Sequence, residues 1–235
     1  MALTYETFVS SLANMLVIPP TDPNYLQFIP NVIDDAEQRI YRELDLLTTI
    51  TRNTAGTLTP SSRNFTFPIH FVVSENINVF TPAGTTTYRN QLIPVSREFL
   101  DAVYPDEGAP PEVEAVPRYY AMMTDQTIIV GPSPSAAYGV EVIGTIRPTP
   151  LSVDNTTTYL TTYLPDLFLA EALIFGYGYL KDYGAQTDDP RSSASWTTHY
   201  TDLWQSAKVE EDRKKYAGPA WTPKTPVPTA TPPRT

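Results

Sequence analysis

An α+β fold is expected from three observations. Apolar residues recur at helical spacing up to residue 47 and again after residue 165, they alternate in twos through much of the stretch between, and the last 19 residues hold six prolines and five threonines. Together they predict a four-helix bundle-like α domain interrupted by a β-rich insert, with an extended Pro/Thr C-terminal arm. The expected boundaries are residues 1–50 plus 160–216 for the helical domain, 51–159 for the inserted domain and 217–235 for the arm.

Leu3, Phe8, Leu12 and Leu16, flanked by Val9 and Met15, repeat at helical spacing and stop at Ile18-Pro19-Pro20, where two prolines lack the N–H that a continuing helix needs. After the turn Thr21-Asp22-Pro23-Asn24, one apolar stripe runs through Ile29, Val32, Ile33, Ala36, Ile40, Leu44 and Leu47 and predicts a helix from about Tyr25 to Leu47. Pro30 either sits near the start of that helix, where a missing N–H costs little, or marks a break before its main part. The Thr-rich stretches Thr48 to Thr59 and Thr156 to Thr162 lose the helical period and read as two hinges around the insert.

Inside the insert, Phe65, Phe67, Ile69 and Phe71 alternate with Thr66, Pro68, His70 and Val72, the pattern of a half-buried strand that Pro68 assigns to an edge. Arg118 to Met123 and Thr127 to Val130 predict a hairpin around Thr124-Asp125-Gln126. Tyr138, Val140, Val142 and Ile146 share one face of a further strand whose other face shows Glu141 and Arg147. Shorter strands are expected at Ile77 to Phe80 and Leu92 to Val95, with a helical turn at Ser96 to Leu100.

Pro165-Asp166 opens LFLAEALIFGYGYLKDY, which is apolar nearly all round and should be the most buried helix of the bundle. Gly176 and Gly178 lower its helix propensity, and close approach of a neighbouring helix is the expected compensation. Trp196, Tyr200, Leu203 and Ala207 then mark a fourth helix that ends in the charged run Lys208 to Lys215.

The charge balance, 26 acidic against 16 basic residues and a formal net charge of -10, argues against a broad surface that grips nucleic-acid phosphates. Any contact with DNA should be passive. The absence of cysteine removes disulfides, cysteine-ligated zinc, iron–sulfur clusters and thiol catalysis. The N-terminal stretch has no basic leader and no apolar run approaches a membrane span, so a cytosolic product without membrane association is expected.

Catalytic motifs do not emerge. Gly139 to Gly144 lies in a strand pattern and lacks the Lys and Ser/Thr of a phosphate-binding loop. His70 and His199 fall in different expected domains without metal-ligand spacing, and the Ser133 and Ser135 turn is crowded by Pro132 and Pro134. The acidic pairs Asp34-Asp35, Asp188-Asp189 and Glu210-Glu211 are adjacent residues, which on a helix do not face one another. No catalytic residue, metal ligand or cofactor is assigned, and a non-enzyme is expected.

Two segments carry the interaction hypotheses. Asp101, Asp106, Glu107, Glu112 and Glu114 lie on a stretch with no basic residue. Its plain reading is a solvated loop; its sharper one is a negative collar, repeated around a ring, along which DNA slides without sticking. In the arm, alternating Pro and Thr keep the chain extended at about 3.1 Å per residue, a reach of roughly 55–60 Å. Trp221 is an aromatic anchor on that arm, with Pro223, Lys224, Pro226, Pro228 and Arg234 beside it; the plainer reading is a disordered terminus with a chance tryptophan.

The stretch Asp35-Ala36-Glu37-Gln38-Arg39-Ile40-Tyr41-Arg42-Glu43-Leu44-Asp45 resembles the Glu-x-Arg-Ile-x-Arg-Glu-Leu helix of head-to-tail adaptor (connector) proteins of tailed bacteriophages. The runs from Tyr159 to Leu167, Ala170 to Leu173 and Tyr179 to Asp182 are similar to a later helix of the same family, so the resemblance covers about residues 1–216. It implies a virion structural protein at the neck, in a homo-oligomeric ring, typically of twelve copies, beneath the portal protein. Such a ring extends the channel through which genomic DNA passes and offers a platform to a tail or nozzle protein. The arm around Trp221 would then contact portal or a neighbouring subunit. A different class, a tail-associated receptor or carbohydrate binding module, draws on Tyr119, Tyr120 and Tyr138, whose faces could stack on sugars.

Overall fold

The computed structural model describes residues 3–80, 88–105, 114–182 and 190–216. Among them the chain is mixed α+β, with six α-helices and two four-stranded sheets. In chain order, α1 (Tyr5–Leu16) and α2 (Pro23–Glu43) precede β1 (Ile50–Thr57), β2 (Asn64–Thr66), β3 (Val73–Phe80), β4 (Arg89–Gln91) and β5 (Ile93–Pro94). Then come α3 (Arg97–Val103), β6 (Tyr119–Thr124), β7 (Thr127–Gly131), β8 (Gly139–Thr145), α4 (Tyr159–Tyr163), α5 (Pro165–Asp182) and α6 (Pro190–Tyr216). The described residues up to Leu47 and from Thr149 onward form one compact unit, and Thr48–Pro148 form a second.

In the helical unit, local chemistry sets the ends of each element. Thr4 and Thr7 cap α1 reciprocally, and the Asp22 carboxylate accepts from the N–H groups of Asn24 and Tyr25 at the start of α2. Pro30 lies inside α2 without ending it; Pro30 and Leu26 are both exposed, so water can take the Leu26 carbonyl that the proline leaves unbonded. The helix stops at Glu43, short of the expected Leu47. From Leu44 the backbone is extended, so the next buried residues are Leu44 and Leu46, two apart, while Leu47 turns outward.

The core of this unit joins α1, α2, α4, α5 and α6. Phe8 of α1 stacks on Phe168 of α5 with ring centroids 4.5 Å apart, and Phe28 of α2 stacks on Phe175 at 5.5 Å. Gly176 admits close approach as expected, since a Cβ there would stand 2.9 Å from a Leu16 methyl. Gly178 has open space instead, so nothing it packs against accounts for it.

The second unit stacks a sheet of order β1-β8-β3-β4 on one of order β2-β7-β6-β5, antiparallel except for β5 with β6. Phe65, Ile77, Val79, Tyr120, Ile128, Val130, Val140 and Val142 fill the space between them. Helix α3 covers Ala121 and Ile129 on the outer side of the second sheet through Leu100.

Both Thr-rich stretches contain regular structure. The first contains strand β1, which pairs along β8 and whose Ile50, Thr51, Thr54 and Thr57 are β-branched residues suited to a sheet edge. In the second, Thr158 and Thr161 form the capping box of α4. The strand expected through Phe71 is confined to Asn64–Thr66, at the edge of its sheet. Beyond it Phe67 and Phe71 stay buried with their rings edge to face at 5.7 Å, and the Gln126 side chain takes over from a ladder by bonding both the N–H and the C=O of Phe71.

Val17 closes α1 in the left-handed region at φ 57, a conformation unfavourable for a β-branched side chain, and it is 89% exposed. Val17→Gly should therefore remove strain without losing packing and raise stability by about 0.5–1 kcal/mol, read as a higher urea midpoint. A lower midpoint would show that the turn is not strained.

Candidate functional site

The charged groups of the helical unit gather around Arg39 of α2. Its guanidinium donates to both carboxylate oxygens of Glu171 on α5, each at 2.8 Å, and its Nε donates to Glu43 at 3.0 Å. The Tyr200 hydroxyl of α6 donates to the other Glu43 oxygen at 2.6 Å, and the guanidinium lies 4.5 Å from the Tyr200 ring centroid. Glu171 is 2% exposed. Burial pushes its carboxyl above the ordinary range, and the hydrogen bonds and charge of Arg39 pull it only part of the way back. Burial and the bond to Glu43 likewise raise Tyr200, which remains a donor.

Sequence reasoning missed this network, although its signals were present. Arg39 and Glu43 stand four apart, the spacing of facing side chains on a helix, and Glu171 is an isolated acid in an otherwise apolar run. A second network ties down the end of α6. Glu211 accepts from the Leu47 N–H at 3.2 Å, from the Tyr159 hydroxyl at 2.9 Å and from Lys214 at 2.7 Å, while Lys215 pairs with Asp45. Burial raises the Glu211 carboxyl, but these donors outweigh it and hold the group below the usual range.

Glu141, on the face of β8 opposite Tyr138, Val140 and Val142, is a fully buried carboxylate, held by Arg52 of β1, Arg89 of β4 and the Asn78 amide of β3 at 2.9 Å. Burial alone would raise it; the bonds from Arg52 and Asn78 and the charges of Arg52 and Arg89 win and keep it low. The residue occupies the second strand of its sheet, where Arg52 of the neighbouring edge strand β1 and Arg89 of β4, one strand beyond β3, reach it from opposite sides.

Of the acidic collar, Asp101 is on α3, 3.2 Å from Arg63 and 3.6 Å from Arg97, and Glu114 is half-buried. Asp106, Glu107 and Glu112 lie outside the described residues, as do Trp221, Pro223, Lys224, Pro226, Pro228 and Arg234 of the arm. Tyr120 and Tyr138 are buried in the β-rich core, Tyr138 bonded to Ser135 at 2.7 Å, and Tyr119 packs beside Phe99 and Tyr104, which leaves no row of tyrosine faces for a sugar. His70 and His199 belong to different units, and Ser133 is buried. Among the described residues no acidic or histidine cluster is arranged to hold a metal, and no helix is long and apolar enough to cross a membrane.

Members of the Arg39 network thus fall in the adaptor-like runs: Arg39 and Glu43 belong to the first, as does buried Glu37, and Glu171 lies in the second. A family model described as SU10 adaptor protein matches residues 3–224. The chain belongs to this phage head-to-tail adaptor family. No curated protein matches it. The match extends eight residues past the end of α6 and takes in Trp221, Pro223 and Lys224, so the adaptor's family likeness reaches the beginning of the Pro/Thr stretch.

Glu37 of the adaptor helix is 4% exposed and accepts from the Leu151 N–H at 3.1 Å, where the chain re-enters the helical unit. Burial pushes its carboxyl from 4.5 up to about 7, with the Leu151 N–H opposing. Between those values the folded chain holds a proton that the unfolded chain has released, so this group's contribution to stability falls as pH rises to about 7 and stays low above it. Glu37→Gln keeps an acceptor without the charge. It should stabilise the adaptor by about 2–3 kcal/mol at pH 8, with the gain fading towards pH 4.5, as read by urea unfolding at both pH values. A pH-independent difference would contradict this.

Proposed function

We propose that the chain is a non-enzymatic virion subunit that assembles as a ring, of twelve copies as is typical of such adaptors, beneath the portal at the neck. The ring extends the DNA channel and presents the platform to which a tail or nozzle protein attaches. In this reading residues 1–50 plus 160–216 are the helical adaptor domain, 51–159 the inserted β-rich domain and 217–235 an arm that docks on portal or on a neighbouring subunit through Trp221, Pro223, Lys224, Pro226, Pro228 and Arg234. The family match over residues 3–224 carries the proposal.

Physical arguments support it. A subunit that bears load between head and tail needs internal charge networks that lock its helices, and Arg39, Glu171, Glu43 and Tyr200 supply one. A net charge of -10 suits a channel past which DNA slides, and carboxylates such as Asp106, Glu107, Glu112 and Glu114 would contribute to a negative lining, whereas Asp101 is paired with Arg63 and Arg97. A proline-rich arm keeps an extended form and so loses less entropy on docking than a flexible one.

Purified chain mixed with portal rings from the same phage and imaged by cryo-electron microscopy tests the proposal, alongside a chain ending at Tyr216. A second ring stacked on the portal is expected, weakened or lost with the shortened chain. Bare portals with both chains folded would overturn portal docking, and equal docking by both would remove the arm from the interface.

A further inference from the structure

We propose that a cavity of about 160 Å³ beside α3 in the β-rich unit is a binding site for one small oxyanion group, a phosphate or a carboxylate. Arg63, Asn64, Arg97, Asp101, Met123 and Ile129 line it. The inference does not depend on the docking reading above, since it rests on how one buried arginine is satisfied.

Arg63 is 7% exposed. A guanidinium carries five N–H donors and stays charged at any relevant pH. Among the described residues the side chain makes one hydrogen bond, at 3.2 Å to the Asp101 carboxylate, and its Nε is buried without a partner. Such a deficit is costly, because a buried charged donor left unbonded has given up its water and gained nothing in return. The backbone fixes the residue in place, since the Arg63 carbonyl accepts from the Val130 N–H of β7 at 2.8 Å.

Asp101 cannot meet the demand alone, because Arg97 also draws on it, with Nε 3.6 Å from its second oxygen. Two guanidiniums thus share one carboxylate, and the cavity keeps an excess positive charge in a chain whose formal net charge is -10. Met123 and Ile129 supply apolar walls that strengthen electrostatic attraction inside. Planar guanidinium forks match the paired oxygens of carboxylate and phosphate, and the volume exceeds the roughly 10–15 Å³ that a single water needs several times over. Asp101 acts as an internal competitor that a stronger or better placed oxyanion supplements or displaces.

The test uses the full chain, with the arginine side-chain Nε–H signals followed by NMR during titration with inorganic phosphate, with acetate, and with chloride at matched ionic strength. The Arg63 signal should shift saturably with phosphate or acetate and not with chloride. Asp101→Asn, which removes the competitor, should tighten binding several-fold; Arg97→Gln should weaken it about three- to tenfold. Both positions are more than half exposed, and the backbone amide spectrum verifies that the variants stay folded. The two sources of oxyanion are separated by raising protein concentration in phosphate-free buffer. A saturable Arg63 shift that phosphate reverses identifies a carboxylate of a neighbouring copy, and a concentration-independent signal identifies a free anion. An Arg63 signal indifferent to every anion in both the native chain and Asp101→Asn, or one shifted equally by chloride, would overturn the proposal.

Discussion

Three helices converge on one guanidinium. Arg39 satisfies the Glu171 carboxylate that α5 buries in an apolar surface, and the same side chain reaches Glu43, which Tyr200 of α6 holds from the other side. An unpaired carboxylate at the Glu171 position would be so unfavourable that α2 and α5 can pack in only one register. Residues far apart in sequence must meet before these charges are satisfied, so the helical unit cannot form from its N-terminal part alone. Bonds at its two junctions follow the same logic, with the Leu47 N–H held by Glu211 where the chain leaves and the Leu151 N–H held by Glu37 where it returns.

The β-rich unit repeats the device in another geometry. Glu141 is a buried acid on an inner strand, closed over by Arg52 and Arg89 and bonded to Asn78, much as Glu171 is closed over by Arg39. Gly144, three residues along the same strand, allows a close approach, since a Cβ there would stand 2.2 Å from the Val73 carbonyl oxygen. Each unit therefore combines an apolar core with at least one buried carboxylate whose partners come from different elements, and that pairing specifies which elements are neighbours.

Much of the helical architecture was legible because its signals are periodic and local. The stripe from Ile29 to Ile40, the stop at Pro19-Pro20 and the all-apolar character of the Pro165 helix each follow from side chains a few residues apart. The Thr-rich junctions misled because threonine serves strands and helix caps equally well, and only β8 or the start of α4 decides which. The burial of Glu141 was not legible for a related reason: alternation assigns a residue to a face, but the partners that bury that face come from other strands. The family resemblance was legible in residues 35–45, but the pairing of Arg39 with Glu171 was not, because the two are 132 positions apart. The arm and most of the acidic collar lie outside the described residues, so composition alone speaks for them.

A double-mutant cycle on Arg39 and Glu171 tests the central claim most directly, with Arg39→Met, Glu171→Met and the pair compared by urea unfolding at neutral pH. Because Arg39 is one-third exposed, solvent screens part of the interaction. The single changes should each cost about 2–3 kcal/mol, and the double variant should recover about 1–3 kcal/mol of their sum. Additivity within about 0.5 kcal/mol would contradict the claim and leave the apolar core alone to determine how the three helices meet.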